Sequence, residues 1–230
     1  MSGGVFTQGK LSCAKKLSHD VEQVGFLETI DSGQLGLKMM GGELCINALL
    51  AAAYSTGESD GELVSELGSS VKYRRMNQQV SIELDIPSDV ERNYMGTTDA
   101  IVVLGLIGYV VTKNRPRTTR LESELAIMAT KFNLPAFGLV WLSPRWIVPY
   151  VYVCATSSCV SETACGSGSL AAYLTSDAGV AGVACDIFQP TGDPITIRRD
   201  QLNANRYEIA ATVREVTDLI FGLNTEILNS

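Results

Sequence analysis

From 119 to 133 the chain reads TRLESELAIMATKFN, with Leu121, Leu125, Met128, Ala129 and Phe132 three or four positions apart and polar residues between them. That spacing predicts a helix with one buried face, and Thr119 followed by Glu122 has the pattern of a capping box at its start. Two runs of strand character come next, AFGLVWL at 136–142 and IVPYVYV at 147–153, separated by Ser143, Pro144 and Arg145. Glu162 and Cys165 follow, and then an apolar helix to about Leu174.

The first half of the chain has the same order. A short helical candidate lies at 12–20, strand-like QVGFLETI (23–30) and QLGLKMM (34–40) flank the turn DSG, and Glu43 and Cys45 precede an apolar helix ending near Tyr54. Beyond each cysteine helix the pattern returns to strands: ELVSEL, SSVKYRR and QVSIELDI in the first half, VACDIF, PITIRR and YEIAATV in the second. Repetition at an offset of about 115–120 residues implies a duplicated fold. The polar cluster PSDVERNYMGT (87–97) divides it into an N-terminal half, 1–95, carrying Cys45, and a C-terminal half, 96–230, carrying Cys165. Both cysteine helices are rich in alanine and leucine on every side, which predicts burial. The expected fold is therefore mixed α/β of the α+β type: two pseudo-symmetric halves, each a curved, mainly antiparallel sheet or barrel around a central helix.

Composition narrows the function classes. The 230 residues are 46% hydrophobic and 19% charged, as expected of a chain with a substantial core, and the net charge of −7 argues against a nucleic-acid partner. The first twenty residues lack the apolar segment of a signal peptide, and no apolar run is long enough to span a membrane, so a cytoplasmic protein without membrane contact is expected. Cys13, Cys45, Cys154, Cys159, Cys165 and Cys185 are too few for a disulfide scaffold in a chain this long. Cys154 and Cys159 are the only close pair and the single histidine, His19, is distant, which gives no metal site. Cys154 and Cys185 follow apolar runs and read as buried small hydrophobes. His19 reads as a surface residue, Trp141 and Trp146 as core or rim aromatics, and KNRPRTTR (113–120) as a solvated connection.

Cys45 and Cys165 read differently. A single cysteine opening a buried helix is adequately explained by packing; two at matching points of a repeat, each shortly after a glutamate, point to chemistry. A helix N-terminus carries about half a positive charge and unpaired N–H groups, which lowers a thiol pKa and can hold a carboxylate. Two such termini meeting at one amino acid would set a sulfur on each face of Cα, one to remove the α-proton and one to return a proton to the opposite face.

At these residues the sequence resembles the diaminopimelate epimerase fold family, whose catalytic cysteines sit in Cys-Gly-Asn and Ala-Cys-Gly-Ser/Thr-Gly motifs. ACGSG at 164–168 matches the second motif in full; in GGELCINA (41–48) Ile46 stands where the family has glycine and Asn47 is kept. EQVGFLE (22–28), GELCINA (42–48), ETACGSG (162–168) and FQPTGDPITI (188–197) resemble, in the same order, the branch of cofactor-independent histidine racemases that supply D-histidine for staphylopine-type metallophores. The resemblance implies that Cys45 and Cys165 are the acid–base pair, that Gln23 lies near the substrate, and that Ile46, Asn47, Gly166, Ser167 and Gly168 line the carboxylate. Glu162 matches a glutamate of the racemase branch; its other reading is a first-turn acid complementing the helix dipole.

A two-thiol reaction, in a sequence without a metal-ligand cluster, calls for no pyridoxal phosphate, other cofactor or metal; the resemblance implies an isomerase with a small-molecule amino-acid substrate, histidine or a similar polar one, and a homodimer is one assembly open to it. The Glu-Arg pair that diaminopimelate epimerases carry before the second cysteine is absent from CATSSCVSET, and their Gly-Asn-Asp motif has no counterpart, so diaminopimelate is disfavoured as substrate. SETAC also differs from the motif of proline racemases. The alternative class is a non-catalytic amino-acid-binding or assembly protein on the same fold, which Ile46 favours.

Overall fold

The computed structural model describes residues 22–30 and 33–214. The helical candidate at 12–20, Cys13 and His19 lie outside the described residues. Strand β1 (Gly25–Thr29) pairs antiparallel with β2 (Leu35–Met39), and helix α1 (Ile46–Ser55) then leads to β3 (Asp60–Val64), β4 (Ser70–Met76) and β5 (Gln79–Asp85). Strands β6 (Ser88–Arg92), β7 (Ala100–Leu104) and β8 (Ile107–Thr112) precede helix α2 (Leu121–Phe132). After α2 come β9 (Ala136–Ser143), β10 (Trp146–Val153), β11 (Ser158–Ser161) and helix α3 (Gly166–Thr175). The short α4 (Asp177–Ala181) and strands β12 (Cys185–Phe188), β13 (Pro194–Arg199) and β14 (Arg206–Thr212) complete the described order.

The result is a mixed α+β fold with one large, curved, unclosed sheet. Its strand order is β1-β2-β3-β4-β5-β14-β13-β12-β10-β9-β8-β7-β6, with β11 paired to β10 off this path. Outward from the antiparallel contact of β5 with β14, the two arms repeat each other. On each arm a hairpin (β1/β2, β9/β10) is followed by a cysteine helix, which returns the chain to a strand parallel to the second hairpin strand: β3 beside β2, and β12 beside β10. A parallel neighbour needs a long crossover, and α1 and α3 supply it. The duplicated pattern in the sequence is thus a duplicated topology.

Helix α3 has every residue from Gly166 to Leu174 buried, as its apolar circumference predicts, and packs on β6–β10, β12 and β13. Helix α1 buries Ile46, Leu49, Leu50, Ala52 and Ala53 against β2–β5 but leaves Ala51 exposed, so alanine on its outer side does not signal full burial there. Helix α2 packs Leu121, Leu125 and Ala129 on β9 and β10. The expected capping box does not form: Thr118–Arg120 makes a separate 3₁₀ turn, the N-cap is Arg120, and no side chain caps it. Cys154 is exposed, its thiol on the carbonyl of Leu134, and Cys185 is half-buried; an apolar run before a cysteine did not ensure burial. The 113–120 connection is mostly exposed, as expected. No described helix is long and apolar enough to cross a membrane.

One packing detail positions the site. Parallel strands β8 and β9 set Gly108 opposite Phe137 and Tyr109 opposite Gly138, so each aromatic ring lies over a glycine of its neighbour. A Cβ on Gly138 would enter the Tyr109 ring and lie 2.8 Å from the carbonyl oxygen of Tyr150. Gly138→Ala is expected to lower the free energy of unfolding by about 1–3 kcal/mol through overpacking, measured by urea titration. An unchanged midpoint would show that Tyr109 has room to move.

Candidate active site

Both cysteines predicted to open helices occupy the N-cap position. Cys45 (φ −118°, ψ 104°) caps α1 and accepts from the backbone N–H of Ala48 at 3.4 Å; Cys165 (φ −143°, ψ 102°) caps α3 and accepts from Gly168 at 3.2 Å. Serine, threonine, aspartate and asparagine are the usual caps, because their oxygen is a better acceptor than sulfur. Two thiols in this role are therefore poorly explained by helix stability alone.

The two helix starts are joined to each other. The Asn47 carboxamide donates through Nδ2 to the carbonyl of Ala164 (2.6 Å) and accepts through Oδ1 from the backbone N–H of Gly166 (2.8 Å). Beside it Ile46, fully buried, packs on Gly166, where an added Cβ would fall 2.5 Å from Ile46 Cγ2. The branched side chain and the missing one are matched across the junction. Ile46 is thus a packing residue of the junction.

Each thiol has its own surroundings. Cys45 donates to Gln23 Oε1 at 2.7 Å. Cys165 lies 3.5 Å from the hydroxyl of Tyr109 and 3.8 Å from Ser167 Oγ, and those two hydroxyls are 2.7 Å apart. The buried Glu162 carboxyl acts electrostatically on the Cys165 thiol. Gln189 accepts from the backbone N–H of Cys165 (2.9 Å) and donates to Ser169 Oγ and the carbonyl of Ile187; Glu22 accepts from the backbone N–H of Thr163 (2.9 Å). Gln23, Ile46, Asn47, Glu162, Gly166, Ser167 and Gly168 therefore all gather around the two helix starts. Glu43, marked in the sequence only as the glutamate before Cys45, joins them, as do Tyr109, Gln189 and Glu22, for which no role was expected. Gln189 lies in the FQPTGD stretch, whereas Tyr109 sits inside the apolar run LIGYVV, which carries no functional signal.

The electrostatics depart from expectation. Helix starts were expected to lower both thiol pKa values; instead burial pushes both up, with the negative charge of Glu162 adding to it. Desolvation of thiols only 6% and 2% exposed outweighs the helix dipole. Burial also raises Glu162, to about 8, with the Cys165 thiol opposing the rise and Glu22 and Glu43 adding to it. The Tyr109 hydroxyl is raised by the same burial and by Cys165 beside it. Among the described residues no group of three or more histidine, cysteine, aspartate or glutamate side chains is arranged to hold a metal ion. A cavity of about 690 Å³ lined by Arg92, Lys113, Ser143, Thr175 and Asp177 opens at the other end of α3, roughly 15 Å of helix from Cys165, and contains none of these residues.

A family model described as the histidine racemase CntK N-terminal domain matches residues 15–218. The chain belongs to this family. No curated protein matches it. Among solved structures, a predicted epimerase from Pseudomonas aeruginosa shares 12% identity, with a TM-score of 0.60, over 91% of this chain and 86% of the other. A phenazine biosynthesis protein of the PhzF family from Enterococcus faecalis shares 14% identity at TM-score 0.54, over 92% and 86%. A PhzF-family protein from Bacillus anthracis shares 12% at TM-score 0.54, over 93% and 89%. At these identities the structures show a common fold, the diaminopimelate epimerase-like one expected from the sequence. Membership of the histidine racemase family makes the chain an isomerase of racemase/epimerase type acting on a small-molecule amino acid.

Glu162 gives this family member a measurable pH dependence of stability. Its folded pKa of about 8 lies above the ordinary carboxyl value of 4.5, so the carboxyl stays neutral in the fold while the unfolded chain ionises. The cost is absent at pH 4, grows as pH rises from 4.5 to about 8, and is then fully expressed. Glu162→Gln is expected to match the wild type at pH 4 and to exceed it at pH 8–9 by on the order of a few kcal/mol, in denaturant titrations across that range. Parallel stability curves would mean that Glu162 is ionised in the fold.

Proposed function

We propose that the chain inverts Cα of a free amino acid, histidine or a similarly polar one, by a two-thiol reaction that uses neither pyridoxal phosphate nor a metal. The observation that supports this best is the placement of Cys45 and Cys165 as N-caps of two helices whose first turns are joined by Asn47. The substrate carboxylate takes the acceptor place at the Gly166 N–H that Asn47 Oδ1 occupies here, beside Ser167 and Gly168. The unequal surroundings assign the first proton movements. Glu162 is the acceptor for the Cys165 proton, whereas the Gln23 amide oxygen accepts a hydrogen bond from Cys45 but is too weak a base to take its proton, so that thiol stays protonated.

The Cys165 thiolate then removes the α-hydrogen as a proton, and the electrons of the broken C–H bond move into the carboxylate. There the helix N–H groups stabilise the added charge. Cys45 delivers its proton to the opposite face of Cα, forming the new C–H bond and leaving a thiolate. One proton has entered Cys165 and one has left Cys45, so the reverse direction begins with the roles exchanged. A second reading, an amino-acid-binding protein without turnover, is favoured by one observation: the Gly166 and Gly168 N–H groups already have partners within the protein.

Solvent deuterium incorporation at Cα, measured by NMR across a panel of amino acids, separates the two. Cys45→Ser and Cys165→Ser are each expected to lower racemisation about a hundredfold or more, while one enantiomer still exchanges at the surviving thiol. A thiol alkylator should stop the wild type and a chelator should leave it unchanged. Because Glu162 accepts a proton only as the carboxylate, kcat/KM should rise with pH through about 8, and Glu162→Gln should abolish that rise. Serine variants that racemise at the wild-type rate would overturn the mechanism. No exchange with any amino acid would leave the binding protein.

A further inference from the structure

Glu43 stands two residues before Cys45, only 2% of it is exposed, and its Oε2 is buried without a hydrogen-bond partner. The neighbouring polar groups differ in this respect. Gln23 is paired with Cys45, Asn47 with Ala164 and Gly166, Gln189 with Cys165 and Ser169, and Glu22 with Thr163. Leaving such an oxygen unpaired costs about 1–3 kcal/mol, so packing alone gives no reason for a carboxyl here.

The backbone is shaped to admit it. Gly42 has φ +74°, which turns the chain back on itself, and a Cβ on Gly41 would collide with Glu43 Oε2 and with Val153 Cγ1 of β10. Glu43 thereby reaches the seam between the two arms. Its negative charge acts on Cys45, two residues along the chain, and on Glu162 of the other arm. The charged side chain acting on it is acidic, Glu66, and none of the ion pairs among the described residues includes it.

We infer that Glu43 receives the α-ammonium group of the substrate, an inference that rests on the two-thiol reading above. An amino acid whose carboxylate lies against the helix starts carries, one carbon away, a cation with three N–H donors, which is the complement of a buried carboxyl oxygen without a partner. The contact restricts the substrate class to α-amino acids with a free amine and rejects N-acyl amino acids and the corresponding des-amino acids. It also holds the amine protonated next to the carbon that must lose its hydrogen.

The test compares L-histidine with imidazolepropionate, the same molecule without the α-amine, by calorimetric titration of the full chain. The wild type is expected to bind histidine at least about tenfold more tightly than imidazolepropionate. Glu43→Gln, which keeps the shape and removes the charge, is expected to weaken histidine about tenfold or more and to leave imidazolepropionate unchanged, with no fall in melting temperature. An unchanged preference in Glu43→Gln, or an equal loss for both ligands, overturns the inference while leaving the two-thiol reading standing. Failure of the wild type to bind either ligand removes both.

Discussion

The site depends on one carboxamide. Asn47 is the third residue of its helix motif, yet its hydrogen bonds are made to the other arm, donating to the Ala164 carbonyl and accepting from the Gly166 N–H. A helix start has N–H groups that must be paired, and a junction of two such starts would set like partial charges against each other. Asn47 resolves this by offering an oxygen to one terminus and taking a carbonyl from the same loop. The fit of Ile46 on Gly166 then closes the space beside it. With these contacts in place the two arms hold Cys45 and Cys165 at a common junction, and the Gln23 and Tyr109 contacts follow from where the thiols lie.

Burial is the other constraint, and it acts against the chemistry a helix dipole would favour. A thiol capping a helix in contact with water would be acidic; the same thiol buried at the junction of the two arms is not. Charge must then be generated inside an enclosed space, where each added carboxyl counts. Glu162 sits where burial and the neighbouring acids hold it near the ionisation range of a working enzyme.

Much of this could be read from local pattern. The repeated hairpin, cysteine helix and returning strands appear where periodicity puts them, and both cysteines open their helices. What could not be read is mostly non-local. The pairing of β5 with β14 joins residues 121 to 133 positions apart, which no local pattern specifies. Strand β6 lies inside the polar stretch 87–97 because an edge strand carrying Asp89, Glu91 and Arg92 has little apolar alternation to display. Tyr109 looked like one more apolar position until the sheet set it over Gly138 and beside Cys165. The thiol acidity differs from what a helix start alone implies, because a helix start is visible in sequence and the degree of enclosure is not.

The two arms share a topology, but only one of them includes Tyr109, and the thiols consequently face different partners. For a racemase this inequality has a thermodynamic limit. Mirror-image amino acids have identical free energies in water, so kcat/KM must be the same for both enantiomers however differently their α-hydrogens are received. Any feature that makes one hand bind more tightly must slow its turnover in the same proportion. The asymmetry built around Cys45 and Cys165 can therefore decide which enantiomer saturates the enzyme first, but never which one accumulates.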